Sequence, residues 1–208
     1  MWSIRAGSAS ILSMSMIISD ASKPLSLLSS IYLCKPTKEA LNNWRALLSE
    51  DAPISLQELK DAIKKIDASS QKELEDLLWE YTRLFIGPYK LPSPPWESVY
   101  TSPKGLMMQE AASEVQNIYR AAGLTVNSRD IMPDHIGTEL NFLSILLQRI
   151  NTDGGGTTNY IKVVEKFLNE HLMKWVPQFT RDMEEAADLL FYKALARVTR
   201  NVLVSIAA

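Results

Sequence analysis

The sequence predicts an all-α bundle of about eight or nine helices, in two unequal parts joined by a hinge. Apolar residues recur at helical spacing along most of the chain, and the alternation of a half-buried strand is nearly absent. Glycine, proline and capping residues punctuate the apolar runs where helices should begin and end. A chain of 208 residues can bury a substantial core, and 46% hydrophobic with 22% charged residues is an ordinary globular composition.

Residues 1–19 read as an amino-terminal extension. Arg5 followed by an apolar stretch weakly resembles a secretory signal, but Ser10, Ser13 and Ser15 interrupt it and no A-x-A-like cleavage site follows. Met14 or Met16 is an alternative start. No window holds the ~18 continuous apolar residues that a membrane span requires. The amino-terminal helical part covers 20–123. Its first helix spans 20–34 and stops before Pro36, and its second spans 38–49 with Leu41, Trp44, Leu47 and Leu48 on one face. Ser55 with Glu58 and Ser70 with Glu73 are capping boxes, each opening a helix. The second of these runs through Leu77, Tyr81, Leu84 and Phe85 to the stop at Gly87-Pro88. Residues 88–104 carry five prolines with Trp96 and Tyr100, and predict a stiff extended segment whose aromatic rings pack against something. A helix over 105–122 ends at Gly123.

Residues 124–133 predict the hinge, and 134–208 the carboxy-terminal helical part. Asp134 is placed to cap a helix bearing Ile136, Leu140, Leu143, Leu147 and Ile150. After the turn Gly154-Gly155-Gly156, a helix through Val164, Leu168, Leu172 and Trp175 should break at Pro177. A last helix then covers 178–206. A hinge of this kind admits a domain-swapped dimer beside a monomer.

Composition excludes several functions. A net charge of −2 with no basic run gives no electrostatic footprint for nucleic acid. The single cysteine, Cys34, precludes an internal disulfide and fits a reducing compartment. No P-loop, dinucleotide fingerprint, H-E-x-x-H, nucleophile elbow or Cys/His cluster is present. His135 and Glu139 stand four apart on one helix face and could share a metal or phosphate in a small helical enzyme, but catalytic zinc takes three protein ligands. The residues themselves suggest no cofactor. The rigid segment around Trp96 and Tyr100 suits an extended peptide partner, because prolines lower the entropy cost of binding and aromatic side chains anchor it.

The run Tyr81-Thr82-Arg83-Leu84-Phe85-Ile86-Gly87-Pro88, continued by Leu91-Pro92-Ser93-Pro94-Pro95-Trp96-Glu97-Ser98-Val99-Tyr100, closely resembles a signature of the TorD/DmsD family. Met132-Pro133-Asp134-His135-Ile136-Gly137-Thr138-Glu139-Leu140 resembles its second motif, and His171-Leu172 with Trp175 and Phe191-Tyr192-Lys193-Ala194-Leu195 match further on. The chain departs from the family in its serine-rich start and at Lys174, where DmsD-like members tend to carry proline. The resemblance implies a cytoplasmic chaperone, not an enzyme. Such a chaperone binds the twin-arginine leader of a molybdopterin oxidoreductase precursor and holds it back from export until its cofactor is loaded, with cofactor-biosynthesis proteins as further partners. Nothing in the sequence resembles a phosphate cradle for the guanine nucleotide proposed for relatives.

Carried over by position, the leader-binding residues are Leu84, Phe85, Pro94, Pro95, Trp96, Tyr100, Asp134, His135 and Gly137. Glu139 joins them on chemical grounds, since it and Asp134 could meet arginine guanidinium groups. His135, near its ordinary pKa, would make affinity vary between about pH 6 and 8. The alternative is an assembly chaperone of a non-exported nitrate-reductase-type subunit.

Overall fold

The computed structural model describes residues 21–48, 52–88, 90–126, 131–152 and 157–207. The amino-terminal extension, the middle of the expected hinge and the triple-glycine turn lie outside these residues. Among those described, helix follows helix and no strand forms.

Helix α1 spans 21–33, and α2 (Lys38–Leu47) begins where Thr37 accepts the Ala40 N–H at 3.1 Å. A 3₁₀ turn (Ile54–Leu56) leads into α3 (Gln57–Lys64) with no side-chain cap, so the expected Ser55 capping box does not form. The Ser70 box forms in part at the start of α4 (Gln71–Phe85). Ser70 accepts from Glu73 N, while the Glu73 carboxylate turns to Asp67 N at 2.8 Å. Gly87, in the left-handed region at φ 100°, closes α4 as its position predicts.

Within the proline-rich segment a short helix α5 (Glu97–Thr101) interrupts the extended chain. Helix α6 is shorter than expected and covers Glu110–Ala121. Gly105 and Met108 both adopt positive φ, which no right-handed helix accommodates, so 105–109 is a loop. The remaining helices are α7 (Ile136–Thr152), α8 (Thr157–Phe167), α9 (Met173–Ala186) and α10 (Leu190–Ala207).

Pro177 does not break its helix. A wide π turn over Leu168–Leu172 joins α8 to α9 immediately upstream, and Pro177, the fifth residue of α9, lies inside the helix with the ladder disturbed just before it. The break falls instead at Ala187, whose backbone is extended.

The core is one apolar cluster drawing on helices from both halves of the chain. Helix α10 packs along α9 and α3, α8 packs along α7, and α5 packs on α9 and α6. Helix α7 is buried on most of its faces, from Ile136 to Ile150, as a central helix apolar all round should be. Tyr32, Phe85, Phe179 and Tyr192 form a chain of edge and tilted ring contacts at 5.8–6.1 Å. Their hydroxyls are satisfied inside: Tyr32 meets Thr199 at 3.0 Å, and Tyr192 donates to Leu77 O at 2.8 Å.

The α9–α10 corner is held from α4. Buried Glu80 accepts from the N–H groups of Asp188 and Leu189, orphan donors that precede α10. Arg83, one turn along α4, donates to Glu80 at 3.1 Å and to Ala186 O, the last residue of α9, at 2.8 Å. One helix thus caps the end of α9 and the start of α10 together. Removing the carboxylate strands buried donors and a guanidinium, which costs about 2–3 kcal/mol. Glu80→Ala should therefore lose that much stability in urea titration, whereas Glu165→Ala, exposed on α8, should change it by under about 0.5 kcal/mol. Equal losses in the two variants would show that Glu80 does not hold this corner.

Candidate functional site

Two sequence-distant segments meet at a single antiparallel rung, where Trp96 faces His135. Glu97 N donates to Asp134 O at 3.0 Å and Ile136 N donates to Pro95 O at 2.9 Å. The Asp134 carboxylate accepts from Ser98 N at 3.0 Å and from the Ser98 hydroxyl. Asp134 therefore caps α5 and not the helix it precedes, as its sequence position suggested. His135 performs that second task. Its carbonyl takes Glu139 N at 3.0 Å, and its imidazole Nδ1 accepts Gly137 N–H at 3.1 Å.

The junction sets Trp96 against the His135 ring, with centroids 6.1 Å apart at 73°. Together with Phe85 they line an open cleft of about 240 Å³. Tyr32 and Leu33 from the end of α1, Tyr81 and Ile86 from α4, Met107 and the pair Ile131-Met132 complete it. Of the residues chosen from the sequence, Phe85, Trp96 and His135 are the ones that line this cleft. Leu84 is buried in the core, Pro95 carries the backbone rung, and Pro94 is half-buried beside it. Tyr100 packs inward, 5.5 Å from Trp175. Tyr32 and Leu33 escaped notice because nothing in a helical apolar run marks the residues that end at a cleft.

Gly137 belongs to the framework. A Cβ there would lie 2.5 Å from Leu33 Cγ and 3.2 Å from Ser29 O, so only glycine lets α1 cross α7 this closely. Ser29 seals the crossing by donating to Gly137 O at 2.7 Å.

Behind the cleft lies a buried polar cluster. Glu97 faces His171 Nδ1 at 3.0 and 3.1 Å, and Glu139 accepts the Trp175 indole N–H at 3.2 Å. Asp134 and Glu139 are both 0% exposed, so neither presents an oxygen to a guanidinium at the surface, which corrects that expectation. Burial, and then the neighbouring Glu97 and Asp134, push the Glu139 carboxyl well above its ordinary range. Burial also lowers His135 to about 4. Its ring is neutral near pH 7, and the expected titration between pH 6 and 8 does not arise from it. His135 and Glu139 have separate partners. Among the described residues no three or more His, Cys, Asp or Glu side chains are arranged to hold a metal ion.

Two measurements check this framework. Gly137→Ala should overpack the helix crossing and cost about 1–3 kcal/mol in denaturant unfolding; an unchanged midpoint would contradict the close approach. A carboxyl whose folded pKa exceeds its unfolded value binds more protons in the native state, so its contribution worsens as pH rises above about 4.5. Glu139→Gln cannot ionise. Its stability relative to the parent should therefore climb between about pH 5 and 8, and a flat difference across that range would refute a protonated Glu139.

The probable Tat proofreading chaperone DmsD of Haemophilus influenzae is 31% identical over 67% of this chain and 65% of its own length. The Tat proofreading chaperone DmsD of Salmonella typhi is 29% identical over 76% of this chain and 74% of its own. The chaperone protein TorD of Vibrio atlanticus is 26% identical over 81% and 84%. A crystal structure described as a redox enzyme maturation protein from Archaeoglobus fulgidus superposes with a TM-score of 0.61 at 25% identity, covering 86% of this chain and 93% of that one. The profile of the nitrate reductase delta subunit family matches residues 32–181, nearly three quarters of the sequence, and the chain belongs to that family.

Proposed function

We infer that this protein is a chaperone of redox-enzyme maturation. It binds the leader peptide of a molybdopterin oxidoreductase precursor in the cleft between Phe85, Trp96 and His135, and defers export until the cofactor is loaded. The observation that carries this reading is the junction of Trp96 with His135. It brings two motifs about forty residues apart onto one open aromatic surface, rigidly mounted and free of charged side chains among the described residues. Such a surface suits an apolar peptide segment, either extended or as a helix in a groove. The relatives named as Tat proofreading chaperones support a twin-arginine client over a non-exported nitrate-reductase-type subunit. The action belongs to the cytoplasm, where a leader is still attached. No helix of the described residues is long and apolar enough to cross a membrane.

Trp96 is half-buried at the cleft wall, while the fully buried aromatic residues belong to the core. Loss of a central aromatic anchor costs about 2 kcal/mol of binding or more, roughly 30-fold in Kd. Calorimetric titration of a twin-arginine leader peptide into Trp96→Ala should show that loss, with little change in melting temperature. Equal affinity for parent and variant would overturn the assignment of this cleft.

A further inference from the structure

We propose that Glu97 and Glu139 share one proton, that this proton latches α5 onto α7, and that its loss frees α5. The latch does not depend on what the aromatic cleft binds. Both Glu97 oxygens lie near His171 Nδ1, at 3.0 and 3.1 Å, the arrangement of a carboxylate taking one N–H between its oxygens. Glu139 accepts the Trp175 indole N–H on Oε2, while its Oε1 is buried and receives no donor among the described residues. An oxygen so placed is satisfied by carrying a proton, since a protonated carboxyl is itself a donor, and Glu97 is the acceptor within its reach. Two adjacent carboxylates withdrawn from water cannot both ionise cheaply. Burial and Glu97 hold the Glu139 carboxyl well above its ordinary range, as this sharing requires.

The other charged and titratable groups around the pair are known from every element packed on it. Asp134, just before α7, is a third buried acid, and Tyr119 of α6 faces all three acids. His171 on the π turn supplies the N–H to Glu97. Outside them a polar pocket of about 270 Å³ reaches Glu97 from the surface, rimmed by exposed Glu110 and Glu114 of α6, Glu170 of the π turn and Lys174 of α9. Water and protons have a path to the pair through it. When the Glu139 O–H bond breaks, the proton leaves to water and the electron pair stays on the carboxylate, which then faces Glu97 across the α5–α7 contact. Moving α5 outward relieves that repulsion. Little else resists, because α5 has five residues and its first two amides, of Glu97 and Ser98, are held by Asp134 alone. Trp96 immediately precedes α5, so the latch also holds one wall of the cleft.

The test is amide hydrogen exchange of the full chain, followed by NMR between about pH 6 and 8, at Glu97 and Ser98. After correction for intrinsic exchange, their opening constant should rise about tenfold per pH unit, the slope for one proton released on opening. It should also exceed the constant for a core amide such as Leu195 of α10, since α5 opens without unfolding the bundle. Glu139→Gln keeps a donor toward Glu97 but cannot ionise, and should leave the constant flat with pH. Glu97→Gln sets an amide opposite Glu139 in place of a charge and should reduce the slope to about threefold per unit or less. Each variant serves if the other folds poorly, and the slope in the parent stands without either. A parent slope below about threefold per unit, or an equal slope in Glu139→Gln, overturns the shared proton. Exchange of Glu97 and Ser98 only in step with Leu195 overturns the latch.

Discussion

The carboxylate of Asp134 stands at the point on which the site depends. It is withdrawn from solvent and takes both the backbone N–H and the hydroxyl of Ser98. A carboxyl group pays for leaving water unless donors receive it, and here the first turn of α5 supplies two donors to Oδ2, while the buried Oδ1 has no hydrogen-bond partner among the described residues. The return is positional. With α5 tied to residue 134, the backbone rung through Pro95, Glu97 and Ile136 closes, and Trp96 and His135 face each other across it. The prolines on one side and the start of α7 on the other leave little freedom at this junction, so the aromatic pair is organised before any ligand arrives.

The same device recurs at the α9–α10 corner. Glu80 receives the N–H groups that precede α10, as Asp134 receives that of α5. In both places a buried acid from one element caps the start of another distant in sequence. Each such contact contributes far less than the apolar burial of the whole core, yet it fixes how helices join, because a misplaced partner would leave a buried polar group unpaired. The cluster of Glu97, Glu139, His171 and Trp175 adds a third tie, fastening α5 to the π turn and α7 to α9 behind the cleft. Burial there, beside two other acids, disfavours the ionised form of Glu139 and raises its carboxyl well above the ordinary range.

These ties separate the surface of the cleft from the framework that shapes it. Phe85, Trp96 and His135 face the cleft, while Asp134, Gly137 and Glu139 lie behind it and set its walls. Residues recognisable as one motif thus do two kinds of work. The division also explains why a site expected to offer carboxylates to arginine is apolar: its acids are consumed in building it. Leu33 shows the link most directly, since it lines the cleft while its side chain occupies the space that a Cβ at Gly137 would need.

Much of the fold was legible in the sequence. Helical periodicity located nearly every helix, and Ser70, Gly87 and Gly123 act at the boundaries as expected, because caps and stops depend on a few neighbouring residues. Phe85, Trp96 and His135, which stand in the motifs the sequence marked, line one cleft in the structure. What only the tertiary structure decided is which partner each polar group found. Asp134 looked like the cap of its own helix and caps another; Pro177 looked like a stop and is carried past by the π turn before it; Tyr32 and Leu33 looked like ordinary core residues and line the cleft. Local rules concern neighbours along the chain. A buried carboxylate, a close helix crossing or a shared cleft wall is settled by groups that come together only when the helices pack.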